Sequence, residues 1–146
     1  MAPSFTILID GKCSLCRREA RFMNRLDAGR GVLGIVDITA PDFEPSRFGS
    51  TMDALMGQIH GVESDGRVLT GLAVFRRAYG ELAAAGGVRA RLMSALVGLT
   101  AWPLLRPLSD AAYRAFARHR LRISALAGKV LGDEPPVCEG DRCRTR

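Results

Sequence analysis

The 146-residue chain has no apolar run long enough to cross a bilayer. The nearest approach, Leu92 to Leu105, is too short and contains Trp102 and Pro103. It is expected to be a packed helix, with Trp102 as a core anchor and contact with a membrane surface left open. No secretory signal is evident, because the first apolar run, Phe5 to Ile9, is short and no basic segment precedes it. Four cysteines without such a signal imply a reducing, cytoplasmic setting. There a C-x-x-C pair more often serves catalysis or metal binding than cross-linking. Lysine is nearly absent, with only Lys12 and Lys129, so the positive charge is almost all arginine. No basic stretch is interleaved with aromatics, which argues against a base-stacking surface and a nucleic-acid partner. Internal repeats and low-complexity blocks are also missing.

What remains is the composition of an ordinary globular domain, 47% hydrophobic and 25% charged. A chain of this length is one domain, able to bury roughly 68–70% of its unfolded surface. Its charge is uneven. Through Leu72 there are 8 Lys+Arg against 9 Asp+Glu, or −1; after it there are 13 against 6, or +7. Such a basic half is either a solvated face or a surface for an acidic partner or an anionic lipid.

Phe5–Ile9 reads as a buried strand leading through Asp10-Gly11-Lys12 into a helix from Leu15 to Leu26. The apolar face of that helix is Leu15, Phe22, Met23 and Leu26, with Arg17, Arg18, Arg21 and Arg25 outside. Glycines near Ala28 end it. Val32–Ile38 is expected to be a central strand parallel to the first. A short helix over Ser50–Met56 follows, capped by Ser50 or Thr51. Ile59–Glu63 and Arg67–Thr70 form a hairpin around Ser64-Asp65-Gly66. A helix then places Leu72, Phe75, Tyr79 and Leu82 on one face. The order β-α-β-α-β-β-α is thioredoxin-like. Further helices are expected over Arg89–Trp102 and from Ser109 to about Ala127, the second capped by Ser109 with Leu108 and Tyr113 as a hydrophobic staple. The expected plan is an α/β domain over residues 1–132, with extra C-terminal helices. Residues 133–146 are expected to form a flexible tail carrying Cys138 and Cys143.

Cys13-Ser14-Leu15-Cys16 carries the chemistry. It places two sulfurs on the first turn of a helix, where the helix N-terminus favours a thiolate. The first sulfur is expected near the exposed helix end and the second beneath the first turn. Cys13 is the candidate nucleophile, its pKa lowered by the helix end and Lys12, and Cys16 is the resolving thiol. Asp10 either opposes that thiolate or moves a proton to or from the buried sulfur. His60, on the third strand, is either a packed side chain or a group that tunes the thiolate. Arg114, Arg118 and Arg122 share one helix face, whose role is left open.

Asp10-Gly11-Lys12-Cys13-Ser14-Leu15-Cys16 resembles the D-G-x-C-x-L-C signature of the DCC-type thiol–disulfide oxidoreductase family. The blocks Ile59-His60-Gly61-Val62, Asp65-Gly66-Arg67-Val68 and Gly71-Leu72-Ala73 resemble the family's hairpin and following helix. Tyr113 to Arg120, with Arg122, resembles its C-terminal Tyr-Arg and Ala-Arg-x-Arg pattern. The resemblance covers roughly residues 5 to 125. It implies a thioredoxin-like fold and dithiol–disulfide activity. The chain departs from thioredoxins proper in having Met56-Gly57-Gln58, with no proline, before the third strand.

The expected function is thiol–disulfide exchange through Cys13 and Cys16, without a bound cofactor. The expected partners are a disulfide-bearing protein or small-molecule substrate and an unidentified electron donor. The alternative is a zinc or protein-interaction module that uses Cys13, Cys16, Cys138 and Cys143 as ligands. Cys138 and Cys143 could equally be a second dithiol or two inert thiols.

Overall fold

In the computed structural model, residues 3–132 are described in full, and the backbone is described for Cys138–Glu139 and Arg142–Cys143. The other tail residues, and the side chains of those four, lie outside the described residues, as does the expectation of a flexible tail. The described residues form a mixed α/β domain with a four-stranded mixed sheet and five helices.

The elements run β1 (Phe5–Ile9), α1 (Ser14–Asp27), β2 (Leu33–Asp37), a 3-10 turn (Pro45–Phe48) and α2 (Met52–Gly57). They continue with β3 (His60–Glu63), β4 (Val68–Thr70), α3 (Leu72–Ala85) and α4 (Val88–Gly98). A second 3-10 turn (Leu99–Ala101) and the long helix α5 (Arg106–Leu131) complete the domain. The sheet order is β2-β1-β3-β4, with β1 parallel to β2 and antiparallel to β3. The expected central place of the second strand is therefore corrected: β2 is an edge, and β1 is central. β1 is apolar almost throughout because both sheet faces are covered. Phe5, Ile7 and Ile9 pack with α1 and α3 through Met23, Val74, Tyr79 and Leu82. Leu8 turns to the other face, against Ile38 and Leu55. Gly61 on β3 leaves room for the Phe5 ring, which a Cβ there would meet at 2.3 Å.

The C-terminal half departs most from expectation. The helix over residues 89–102 stops at Gly98 and gives way to the 3-10 turn. Trp102 is 58% exposed and anchors no core. α5 begins at Arg106, with Pro107 in its first turn, where a missing N–H costs nothing. Ser109 is thus inside the helix, donating to the carbonyls of Thr100 and Arg106, and is not its cap. The Leu108–Tyr113 staple falls with it. α5 ends at Leu131, and its buried face, Ala117, Arg120 and Ser124, returns across α1.

Candidate active site

The turn between β1 and α1 is fixed by two carboxylates. Asp10 Oδ1 accepts the Lys12 backbone N–H at 2.9 Å, and the Asp10 carbonyl accepts that of Cys13 at 3.0 Å. Asp37, at the end of β2, accepts the Gly11 N–H at 2.9 Å. Its carboxylate fills the space a Cβ at Gly11 would need, so only glycine fits here. Arg17 was expected outside the helix. It is buried instead, and its guanidinium donates to the Gly11 carbonyl.

Cys13 is the N-cap of α1, and its sulfur accepts the Cys16 backbone N–H at 3.2 Å. Its pKa is lowered to about 6. The largest cause is the hydrogen bond from the Cys16 thiol; the Cys16 amide and the Ser124 hydroxyl add to it, while burial and the Asp10 charge oppose. Cys16 is pushed strongly upward, first because it donates to the Cys13 sulfur and then by burial. The pair therefore holds one proton between two sulfurs, as a thiolate at Cys13 and a thiol at Cys16. Lys12 is exposed and is not among the causes of the shift.

The expected exposure of the first sulfur is corrected. Cys13 is 0% exposed, whereas Cys16 is partly exposed. The reason is α5, which lies over the start of α1. Ser124 Oγ accepts the Ser14 N–H at 2.7 Å, and Ser14 Oγ donates to the Ser124 carbonyl at 3.0 Å. One step back on the same helix, Arg120 donates to Asp10 Oδ2 at 3.0 Å, and both groups are buried. Arg120 and Ser124 thus tie the cover to the thiol-bearing turn.

Beside the pair lies a mostly apolar cavity of about 500 Å³. Cys16, Leu15, Phe75, Tyr113, Phe116 and Arg120 line it, but Cys13 does not. Glu19 also lines it; burial raises its pKa, and it accepts the Tyr79 hydroxyl. The volume is that of a small-molecule site.

The structure gathers Asp10, Cys13 and Cys16. It leaves His60 aside: the ring is buried, hydrogen-bonded at Nδ1 to the Gln58 carbonyl at 3.0 Å, and absent from the cavity wall. Arg114, Arg118 and Arg122 are exposed. Among the described residues, no group of three or more His, Cys, Asp or Glu is placed to hold a metal ion. Half of the four-cysteine set, Cys138 and Cys143, has side chains outside those residues. Sequence reasoning missed Arg120 and Ser124 as site residues. Arg120 closes the Ala-Arg-x-Arg block quoted above, which signalled the segment but not its role; for Ser124 the only signal is the spacing Ala117, Arg120, Ser124 along one helix face.

A family model for DCC1-like thiol-disulfide oxidoreductases matches residues 7–126. The chain belongs to that family. The match spans the whole site just described, from β1 through Ser124. The chain is also 31% identical over 119 residues to a chloroplastic protein of Arabidopsis thaliana that is itself uncharacterised. The alignment covers 81% of this chain and 51% of the relative, so this DCC1-like chain spans about half that protein's length. No solved structure matches it.

Proposed function

We propose that the protein is a thioredoxin-like thiol–disulfide oxidoreductase that cycles Cys13 and Cys16 between dithiol and disulfide. The observation that carries this is the place of Cys13 at the N-cap of α1, its sulfur accepting the Cys16 N–H at 3.2 Å, which lowers its pKa and favours a thiolate near neutral pH. The sheet order β2-β1-β3-β4, with the pair at the start of α1, supports the thioredoxin-like reading.

The cavity favours a small or narrow substrate that meets the pair at Cys16. When the pair is a disulfide, a donor thiolate attacks the Cys16 sulfur. The Cys13–Cys16 bond breaks, the donor is joined to Cys16, and Cys13 leaves as a thiolate. A low-pKa thiol is the better leaving group, which suits Cys13 to that place. A second donor thiol then displaces Cys16, and the donor departs as its disulfide, so two electrons enter the pair. The reverse sequence reduces a substrate disulfide. Cys16 passes its proton to the Cys13 thiolate and attacks as a thiolate; the substrate S–S bond breaks, one half joining Cys16 and the other leaving as a thiolate. Cys13, losing that proton to the departing thiolate, then closes the internal disulfide.

The test is turnover of a small disulfide by wild type, Cys13→Ser and Cys16→Ser, with mass analysis of trapped adducts. Both variants should lose turnover, and Cys13→Ser should accumulate a mixed disulfide on Cys16. Adducts confined to Cys13 in Cys16→Ser would restore the expected order with Cys13 as the attacking sulfur. Turnover unaffected by either change would sink the function itself.

A further inference from the structure

The exposed face of α4 carries Val88, Leu92 and Leu96, and Leu99 at its C-cap follows them, spaced at i, i+4, i+8 and i+11, which puts them on one stripe. Each is between 50% and 75% exposed. The stripe continues over the bend into α5 through Trp102, Leu104, Leu105 and Leu108, all exposed. Isolated exposed leucines are ordinary, but a continuous row of this length marks an interaction surface.

The charge around the row selects the partner. Between Leu82 and Gly132 the chain has eight Lys and Arg, with Asp110 as the sole acid. Arg89, Arg91 and Arg106 lie among the apolar residues and are themselves exposed. Leucine and tryptophan flanked by arginine, with the single acid Asp110 paired to Arg106, is the composition of an element lying in a bilayer interface. The charge matches an anionic headgroup layer. No helix among the described residues is long and apolar enough to cross a membrane, so the element would lie on the surface.

We propose that α4, the bend at Trp102 and the first turn of α5 form a docking surface for an anionic lipid bilayer. Docking would set Val97 and Thr100, which line the cavity from this side, beside the lipid.

The test is flotation of the full chain with phosphatidylcholine vesicles, either pure or containing phosphatidylglycerol, at low and high salt. Binding should require the anionic lipid and weaken with salt. Arg89→Gln with Arg91→Gln should weaken it about twenty-five-fold, from about fivefold per arginine. Leu96→Ser, Leu99→Ser and Trp102→Ser combined should abolish it while leaving thermal unfolding unchanged. Arg47→Gln, on the 3-10 turn before α2, is the control and should bind as wild type does. The proposal is overturned by absence of binding to anionic vesicles, or by equal binding of the serine variant. It is also overturned if Arg47→Gln weakens binding as much as the Arg89 and Arg91 pair does. A dimer that dissolves in the serine variant, without vesicle binding, would assign the stripe to a second copy of the chain. Small-disulfide turnover in solution should be the same in all these variants, so the outcome is separate from that of the thiol chemistry.

Discussion

Replacing Cys16 with alanine removes the group that does most to hold the Cys13 thiolate, the thiol that donates to its sulfur. A hydrogen bond to a charged acceptor contributes about 1.5–3 kcal/mol. At about 1.4 kcal/mol per pKa unit, its loss should raise Cys13 by about one to two units. From about 6 in the wild type, the pKa should move to about 7–8. At pH 7 the thiolate fraction then falls from about nine-tenths to between about a tenth and a half. Ultraviolet thiolate absorbance against pH reads this directly, in protein whose Cys138 and Cys143 are serine. Cys16→Ser keeps an O–H donor and should leave the pKa within about half a unit of wild type. A Cys16→Ala protein still titrating near the wild-type value would refute the reasoning and assign the shift to the helix amide and Ser124. Stability of the reduced form should follow the same titration. The folded pKa of Cys13 lies below its unfolded value of about 8.5. The thiolate's contribution is therefore complete above the unfolded value, shrinks as pH falls, and is gone below about 6. Cys16, raised in the folded state, acts in the opposite sense and costs stability above about pH 8.5, where the unfolded thiol ionises.

Two further outcomes test the cover. Arg120→Met leaves Asp10 as a buried carboxylate without its cation and should cost about 3–5 kcal/mol in chemical denaturation; Asp10→Asn in the same chain should recover most of it, and simple additivity of the two changes would show that the pair is not coupled. Ser124→Ala leaves the buried Ser14 N–H without its acceptor and should cost about 1–3 kcal/mol. The same change loosens α5 over Cys13, so alkylation of Cys13, with each rate divided by the measured thiolate fraction, should accelerate, and an unchanged corrected rate would mean that Ser124 does not govern access.

The thiol-bearing turn was legible in the sequence because its signals are local. A five-residue apolar strand, an Asp-Gly turn and a C-x-x-C at a helix start each act within a few residues. The hairpin at Ser64-Asp65-Gly66 was legible for the same reason: Gly66 takes a positive φ, and its N–H returns to the Glu63 carbonyl. The place of β2 in the sheet was not, because a Val- and Ile-rich run reads alike at an edge and at the centre when a helix covers it. Arg17 defeated pattern reading in another way. An arginine on a helix is expected in water, but here the Gly11 carbonyl lies within its reach.

The burial of Cys13 has the same non-local origin. Whether the first sulfur of a C-x-x-C helix is exposed depends on what the rest of the chain lays across it. Here that is a helix more than a hundred residues downstream, joined through Ser14–Ser124 and Asp10–Arg120. Each contact spends a polar group that would ordinarily face water, so the cover is specified by hydrogen bonding more than by apolar area. The consequence reaches the chemistry. Ser124 both covers Cys13 and donates to its sulfur, so the residue that restricts access also stabilises the thiolate. Cover and the acidity of the Cys13 thiol therefore rise and fall together in this domain. A change that opens the site from the α5 side should expose a thiol that is easier to reach and less acidic.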